Sequence, residues 1–222
     1  MTVPAARGPS ATTDGPASTG VIIDNGAWRG SVGLTVVTLI GFGFLYSLLG
    51  VGLGQAVFRN AANGSIIERD GKVIGSALIA QPFTSDRYFH PRPSAAGYDT
   101  MALAGSNQAR TNPDMRSRLD EARTAVARRE GVEPSAVPGD LVTQSGGGID
   151  PHVSPDGAAI QVERVARARG QAREVIERLV AQYTEPRQLG VLGQARVNVL
   201  MLNLALDGLP DALSAAGPDP AR

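Results

Sequence analysis

The chain has 222 residues, 21 of them basic and 21 acidic, for a formal net charge of zero. That balance excludes the basic excess of a dedicated nucleic-acid binder. The absence of Cys excludes disulfides, thiolate nucleophiles and Cys-ligated metal sites, and it leaves the compartment open.

Met1 to Gly26 is rich in Ala, Pro, Gly, Ser and Thr and has no apolar period, so residues 1–28 are expected to form a disordered tail. Between Arg29 and Arg59 no residue is charged. The twenty-nine residues from Gly30 to Phe58 would reach roughly 43 Å as an α-helix, against about 30 Å of bilayer hydrocarbon. Residues 29–58 are therefore predicted to be a transmembrane helix. A soluble core helix of this length would carry a polar face, which is missing here. Gly54-Gln-Ala56 ends in small residues, as a cleavage site would. The apolar part from Gly33 to Leu53 is longer than a signal core, however, and an uncleaved anchor is expected.

Gly43, Ser47, Gly50 and Gly54 fall within about 60° of one another at 100° per residue. Gly50-x-x-x-Gly54 has the spacing of close helix pairs, so these four are the expected packing face for a partner helix. Orientation is ambiguous. Arg29 flanks one end, and Arg59, Arg69 and Lys72 flank the other. That count points the C-terminal side into the cytoplasm, but the rule governs short loops and a large domain escapes it.

About 160 residues remain, enough for a domain with its own core. Asn63-Gly64 and Asp70-Gly71 are turn signals that frame two strands, Ser65–Arg69 and Lys72–Gln81, as a hairpin. Phe83 to Tyr98 contains Pro91 and Pro93 and is expected to be an ordered loop. After a second loop, Asn112 or Asp114 caps a helix with Pro113 in its first turn. Met115, Leu119, Ala122 and Val126 give that helix an apolar stripe, and Gly131 ends it. Val132 to Asp156 reads as loop. A long amphipathic helix is predicted from Asp156 to Tyr183, weakened inside by Gly170. Arg196 to Leu206 alternates leucines with other residues and is predicted to be a strand. The expected fold is an α+β soluble domain over residues 59–208, with two helices and three or more strands, tethered by one N-terminal transmembrane helix. Residues 209–222 are expected to be a flexible tail.

Candidate chemistry is thin. A hydrolytic triad would combine Ser145 with Asp150 and either His90 or His152, but no Gly-x-Ser-x-Gly elbow is present. A metal site would draw on the same two histidines and nearby carboxylates. Lys72, the only lysine, is followed by Val73, so the P-loop pattern is missing. The tract Gln144, Ser145, Gly146, Gly147 and Gly148 is the candidate for a phosphate-cradling turn, or else for a turn that needs positive φ.

Several blocks nevertheless resemble one family in order and spacing. They are Ala62-Asn-Gly-Ser65, Gly75 to Phe83, Tyr88-Phe-His-Pro-Arg-Pro-Ser-Ala95, Gly105-Ser-Asn107 with Thr111-Asn-Pro113, Asp140 to Pro155, Gln161 to Gly170, and Arg196 to Asp207. They are similar to the C subunit of the bacterial high-affinity potassium-transporting P-type ATPase, the Kdp complex. The chain departs from the family pattern at Arg59 (usually Pro), Ala80 (usually Gly), Gln108 (usually Leu) and the Thr143–Gly148 tract.

The resemblance implies a non-catalytic accessory subunit in the bacterial cell membrane. Its partners would be the potassium-conducting and ATP-hydrolysing subunits, with lipid around the helix and no nucleic acid. It implies a single-pass protein with its domain outside the cytoplasm, needed for assembly. It also implies a catalytic chaperone that raises the ATP affinity of the hydrolysing subunit. An outside domain cannot touch cytoplasmic ATP, so no firm cofactor follows, and ATP would act through the complex. The chain has no Asp-Lys-Thr-Gly-Thr sequence and cannot itself form an aspartyl phosphate. Three readings stand together: an assembly subunit, a direct ATP-binding modulator acting through Gln144–Gly148, and a membrane-anchored hydrolase. Gln81, Arg92, Ser94, Asn107, Asp150, His152 and Asn198 are the expected structural or interface loop residues, with a buried Arg92–Asp150 pair as one pin. Asn198 and Asn203, set in an apolar strand, are expected to satisfy backbone groups.

Overall fold

The computed structural model describes residues 27–209. Of the expected tails at 1–28 and 209–222, residues 1–26 and 210–222 lie outside the described residues, whereas Ala27 and Trp28 already belong to the apolar helix and Leu209 packs against the core. The chain divides between Ala56 and Val57 into two units.

The described part of the first unit is helix α1 (Ala27–Val57) up to its last residue, a helix 31 residues long and apolar enough to cross a membrane. None of its residues is buried within the chain. From Leu39 to Leu45 the helix is π-wound, and the Tyr46 amide donates five residues back to the Gly41 carbonyl. Ser47, Gly50 and Gly54 lie beyond it in regular α-helix. Gly43 lies inside the π segment, where 100° per residue no longer holds.

The second unit opens with the single turn α2 (Arg59–Ala62) and the antiparallel pair β1 (Ile66–Arg69) and β2 (Lys72–Ser76). Asp70 and Gly71, at φ 52° and 73°, make the predicted tight turn. The second strand stops at Ser76, short of the expected Gln81. The Ser76 hydroxyl accepts the Leu78 amide (3.1 Å) and its carbonyl accepts the Ile79 amide (3.2 Å), which folds the chain into a turn. Helix α3 (Pro113–Glu130) is capped by Asn112, whose side chain accepts the Asp114 and Met115 amides at 2.8 and 3.4 Å. Gly131, at φ 71°, closes it in the left-handed conformation. Two 3-10 turns, Pro134–Ala136 and Gly139–Leu141, follow.

The remaining elements are β3 (His152–Val153), α4 (Pro155–Ala159), α5 (Val162–Arg169), α6 (Arg173–Gln182), β4 (Thr184–Glu185), β5 (Arg196–Asn198) and α7 (Val199–Asp207). The predicted single helix from Asp156 to Tyr183 is thus three helices. Gly170, at φ 65°, caps α5 as a left-handed residue, so the chain turns there instead of continuing. The second sheet has the order β3-β5-β4, all antiparallel, with His152 opposite Asn198 and Thr184 opposite Val197.

The predicted strand Arg196–Leu206 is also corrected. Only three residues are extended. The Asn198 side chain then accepts the Met201 amide (3.1 Å) and starts α7. Val199, Leu202, Asn203 and Leu206 are buried, a 3.6-residue period hidden by apolar residues at nearly every position. Phe89, Val165, Ile176, Val197, Leu202 and Leu206 are fully buried at the centre of the core, and Leu209 packs against its edge.

Candidate functional site

The loop from Phe83 to Tyr98 has no ladder of its own, yet it places Phe89 and His90 in the core. Buried amides and carbonyls need partners, and side chains of α5, of its N-cap Gln161 and of α7 supply them. Asn203 on α7 accepts the Phe89 amide and donates to the Phe89 carbonyl, both at 2.9 Å. Gln161 accepts the His90 amide (2.7 Å) and donates to the His90 carbonyl (3.2 Å). Arg164 donates to the Asp86 and Tyr88 carbonyls at 2.7 and 2.9 Å. Its other nitrogens donate to Gln161 and to the wholly buried Glu130 carboxylate, each at 2.9 Å. Arg129 closes the other oxygen of Glu130 at 2.5 Å. Arg169 donates to the Arg87 and Leu206 carbonyls and to Asp207, and its guanidinium lies 5.0 Å from the centre of the Tyr88 ring.

Downstream, the loop meets the 140–155 segment. Arg92 donates to Asp150 at 2.9 Å, so the suggested pair exists, with both side chains partly exposed. Asp150 also accepts the His152 amide (3.0 Å) and faces the His152 Nδ1 (3.2 Å). Burial works to raise the Asp150 pKa, but the hydrogen bonds from His152 and the charge of Arg92 outweigh it. The carboxyl is held below its ordinary value. Arg92, Asp150 and His152 line an open cleft of about 350 Å³ with Asp140, Ser154 and Arg196. Asp140 is itself engaged, accepting the Ser154 amide (2.6 Å) and hydroxyl (3.1 Å).

The glycine tract is occupied by packing between loops. Ser94 donates to the Gly148 carbonyl (2.5 Å) and accepts the Ala96 and Tyr98 amides. Gly148, at φ 75°, sits where a Cβ would come within 2.9 Å of the Ala104 carbonyl. A Cβ on Gly105 would meet the Gly146 carbonyl at 2.7 Å. The Gly148 amide donates to the Ser145 carbonyl at 3.3 Å. Ser145 is buried, its hydroxyl 3.5 Å from the Asp150 amide. Gln144 has a buried side-chain oxygen without a partner among the described residues.

The other expected loop residues are placed separately. Gln81 donates to the Ile74 carbonyl (2.8 Å) and crosses over Gly75. Asn198 donates to the Ala77 carbonyl (2.7 Å). Asn107 is exposed in the left-handed region at φ 49°. Gly43, Ser47, Gly50 and Gly54 belong to the other unit. The two histidines line different hollows. His90 is buried beside Arg129 and Tyr98 in one of about 460 Å³, its Nε2 against the Ser85 carbonyl (3.1 Å). Burial, and then the Arg129 charge, hold its pKa below the ordinary value. Among the described residues no group of three or more His, Asp or Glu is placed to hold a metal ion.

No motif marks Glu130, Gln161, Arg164 and Arg169 for this work. Their signal is a polar residue on the buried face of a helix or, for Gln161, at the cap before one. Arg164 and Arg169 flank Val165 and Ala166 at core spacing, where charge needs a partner.

The family model described as KdpC, the c chain of the K+-transporting ATPase, matches residues 28–208. Relatives named as the KdpC subunit of a potassium-transporting ATPase are similar over most of their length. One from Xanthomonas oryzae is 56% identical, over 83% of this chain and 88% of its own. One from Gemmatimonas aurantiaca is 50% identical, over 86% and 94%. One from Methylococcus capsulatus is 51% identical, over 79% and 94%.

Proposed function

The chain belongs to the KdpC family, the c chain of the K+-transporting ATPase, and from that premise we propose that it assembles and stabilises this potassium pump while other subunits carry the transport path and hydrolyse ATP. Helix α1 anchors it once in the bacterial cell membrane, and the domain at 59–208 stands outside the cytoplasm. Its partners are the potassium-conducting and ATP-hydrolysing subunits. The small face at Ser47, Gly50 and Gly54, in the regular α-helix beyond the π-wound turn that holds Gly43, packs on a partner helix. Any rise in the ATP affinity of the hydrolysing subunit is transmitted through the assembled complex.

The observation that carries this reading is the use made of the buried polar groups. Gln161, Arg164, Arg169 and Asn203 all brace one long loop, which builds a rigid shape for partners. The test is purification of the pump through a tag on the ATP-hydrolysing subunit. Gly50→Leu and Gly54→Leu should release this chain; unchanged co-purification refutes the packing face. Protease protection in oriented vesicles places the domain on one side.

A second reading keeps direct ATP binding at Gln144–Gly148. The unpartnered Gln144 oxygen and the exposed Gly146 and Gly147 favour it. Equilibrium ATP binding to the detergent-solubilised full chain decides, since absence of saturable binding at millimolar ATP removes this reading.

A further inference from the structure

The hollow beside His90 is walled by Phe83, Pro91, Pro93, Val126 and Leu141. At about 460 Å³ it falls in the size range of small-molecule sites. Its polar groups are few. Thr84 stands exposed at the rim. The Tyr98 hydroxyl is taken, donating to the Arg92 carbonyl at 2.8 Å. His90 itself is 8% exposed. Its Nε2 lies 3.1 Å from the Ser85 carbonyl, which can only accept, so Nε2 carries the ring proton and Nδ1 is a bare acceptor. Among the described residues Nδ1 has no partner and is not sealed from solvent, so its lone pair opens on the hollow that His90 lines.

Among the described residues, Arg129 is the one charged residue in that lining. Its Nε is spent on Glu130 at 2.5 Å. Neither terminal nitrogen has a partner among the described residues, and the side chain is 32% exposed. Glu130 is shared with Arg164, so this cluster holds two positive charges against one negative. A single positive charge is left over beside the hollow. Both polar neighbours feel it. After burial, the Arg129 charge is the strongest influence lowering the His90 pKa, and it opposes the burial that raises Tyr98. The other charges of α3 are engaged elsewhere. Arg118 donates to Gln108, Asp120 accepts from Arg123, and Glu121 accepts from Ser117. Arg128 lines other hollows, and Asp86 and Arg87, on the same loop as His90, do not line this one.

We propose that this hollow binds a small monoanionic carboxylate with a flat apolar body and one hydrogen-bond donor. The carboxylate takes the two terminal nitrogens of Arg129 as a fork. The donor meets His90 Nδ1, and the body lies against Phe83, Tyr98 and the proline rings. One surplus positive charge suits a carboxylate better than a dianionic phosphate. A buried neutral acceptor disfavours an anion that brings no donor to pair with it. The site needs no partner subunit, so it stands apart from the assembly role.

The probe is 4-hydroxybenzoate, titrated into the detergent-solubilised full chain at neutral pH and followed by ligand-detected NMR. Binding saturates with a Kd of about 1 mM or below, as a ligand of about ten heavy atoms allows. 4-Hydroxybenzyl alcohol keeps the ring and the donor but has no charge, and it binds about tenfold or more weakly. Benzoate has no donor and binds about threefold to tenfold more weakly. Ala125→Leu pushes a larger side chain into the hollow from an exposed position on α3. It abolishes binding and leaves the melting temperature level, since Leu suits a helix. The two analogues decide the matter even if that variant does not fold. No saturation by about 10 mM overturns the proposal, as does equal binding of either analogue or full binding by a folded Ala125→Leu chain. The assembled pump binds the probe as well. Loss of binding there would mean that a partner subunit fills the hollow, and it would overturn the small-molecule site.

Discussion

Asn203 holds Phe89 as a neighbouring strand would, accepting its amide and donating to its carbonyl at 2.9 Å each. The two residues are 114 positions apart, and both are buried. A side-chain amide thus substitutes for a missing ladder in a loop whose two prolines, Pro91 and Pro93, lack amide protons.

Asn203→Leu therefore keeps the branched shape, with bulkier methyl groups, and leaves two buried backbone groups unpaired. The expected loss is roughly 2–5 kcal/mol of stability. Denaturant unfolding of the full chain in detergent measures it, and a loss under about 0.5 kcal/mol would refute the pairing.

Arg164 and Glu130 form the buried ion pair beneath the same loop. Arg164→Met strands a carboxylate that Arg129 only half satisfies, at an expected cost of roughly 3–5 kcal/mol. Adding Glu130→Gln removes the stranded charge and should recover part of the loss. A double-mutant cycle reads this as coupling well beyond additivity.

Acid should weaken the domain in two stages. His90 is neutral and buried, with its pKa below the ordinary value of about 6.5. As pH falls through about 6.5 the unfolded chain takes a proton that the folded chain refuses, so stability drops until the folded value is passed. His90→Gln should flatten melting temperature against pH in that window. Asp150 is also depressed, and its contribution is present above about 4 and fades as pH falls through its folded value. Because both partners are partly exposed, Asp150→Asn should cost about 1 kcal/mol or less at neutral pH.

Two neighbouring glycines should respond differently. Gly148→Ala meets a backbone carbonyl at a positive φ and should cost roughly 1–3 kcal/mol. Gly147 has open space around its Cβ position, so Gly147→Ala should leave stability unchanged. If the tract also holds ATP, the Gly147 variant weakens that binding without moving the melting curve.

The hairpin turn and both ends of α3 were legible because single residues decide them: Asp70-Gly71, Asn112 and Gly131. The Arg92–Asp150 contact was legible too, but not its exposure, since the pair expected to be buried is partly open to solvent. α7 was not, because leucines at alternate positions and apolar residues between them fit both a 2-residue and a 3.6-residue period. Only the Asn198 cap and the buried set at Val199, Leu202, Asn203 and Leu206 separate the two. The work of Arg164 and Arg169 depends on carbonyls some 80 residues earlier, and no local pattern records such a partner. The π-wound turn in α1 left no sequence signal beyond its glycines.

The side-chain bracing of the loop also sets an order of events during synthesis. Phe89 is made early, but the groups that hold it emerge with Gln161, Arg164 and finally Asn203. The first half of the domain therefore stays unfinished until α7, the last of the described helices, has left the ribosome. A chain stopped anywhere before α7 would display the apolar Phe89 loop unsatisfied. Quality-control proteases could thus recognise an incomplete copy before it competes for a place in the pump.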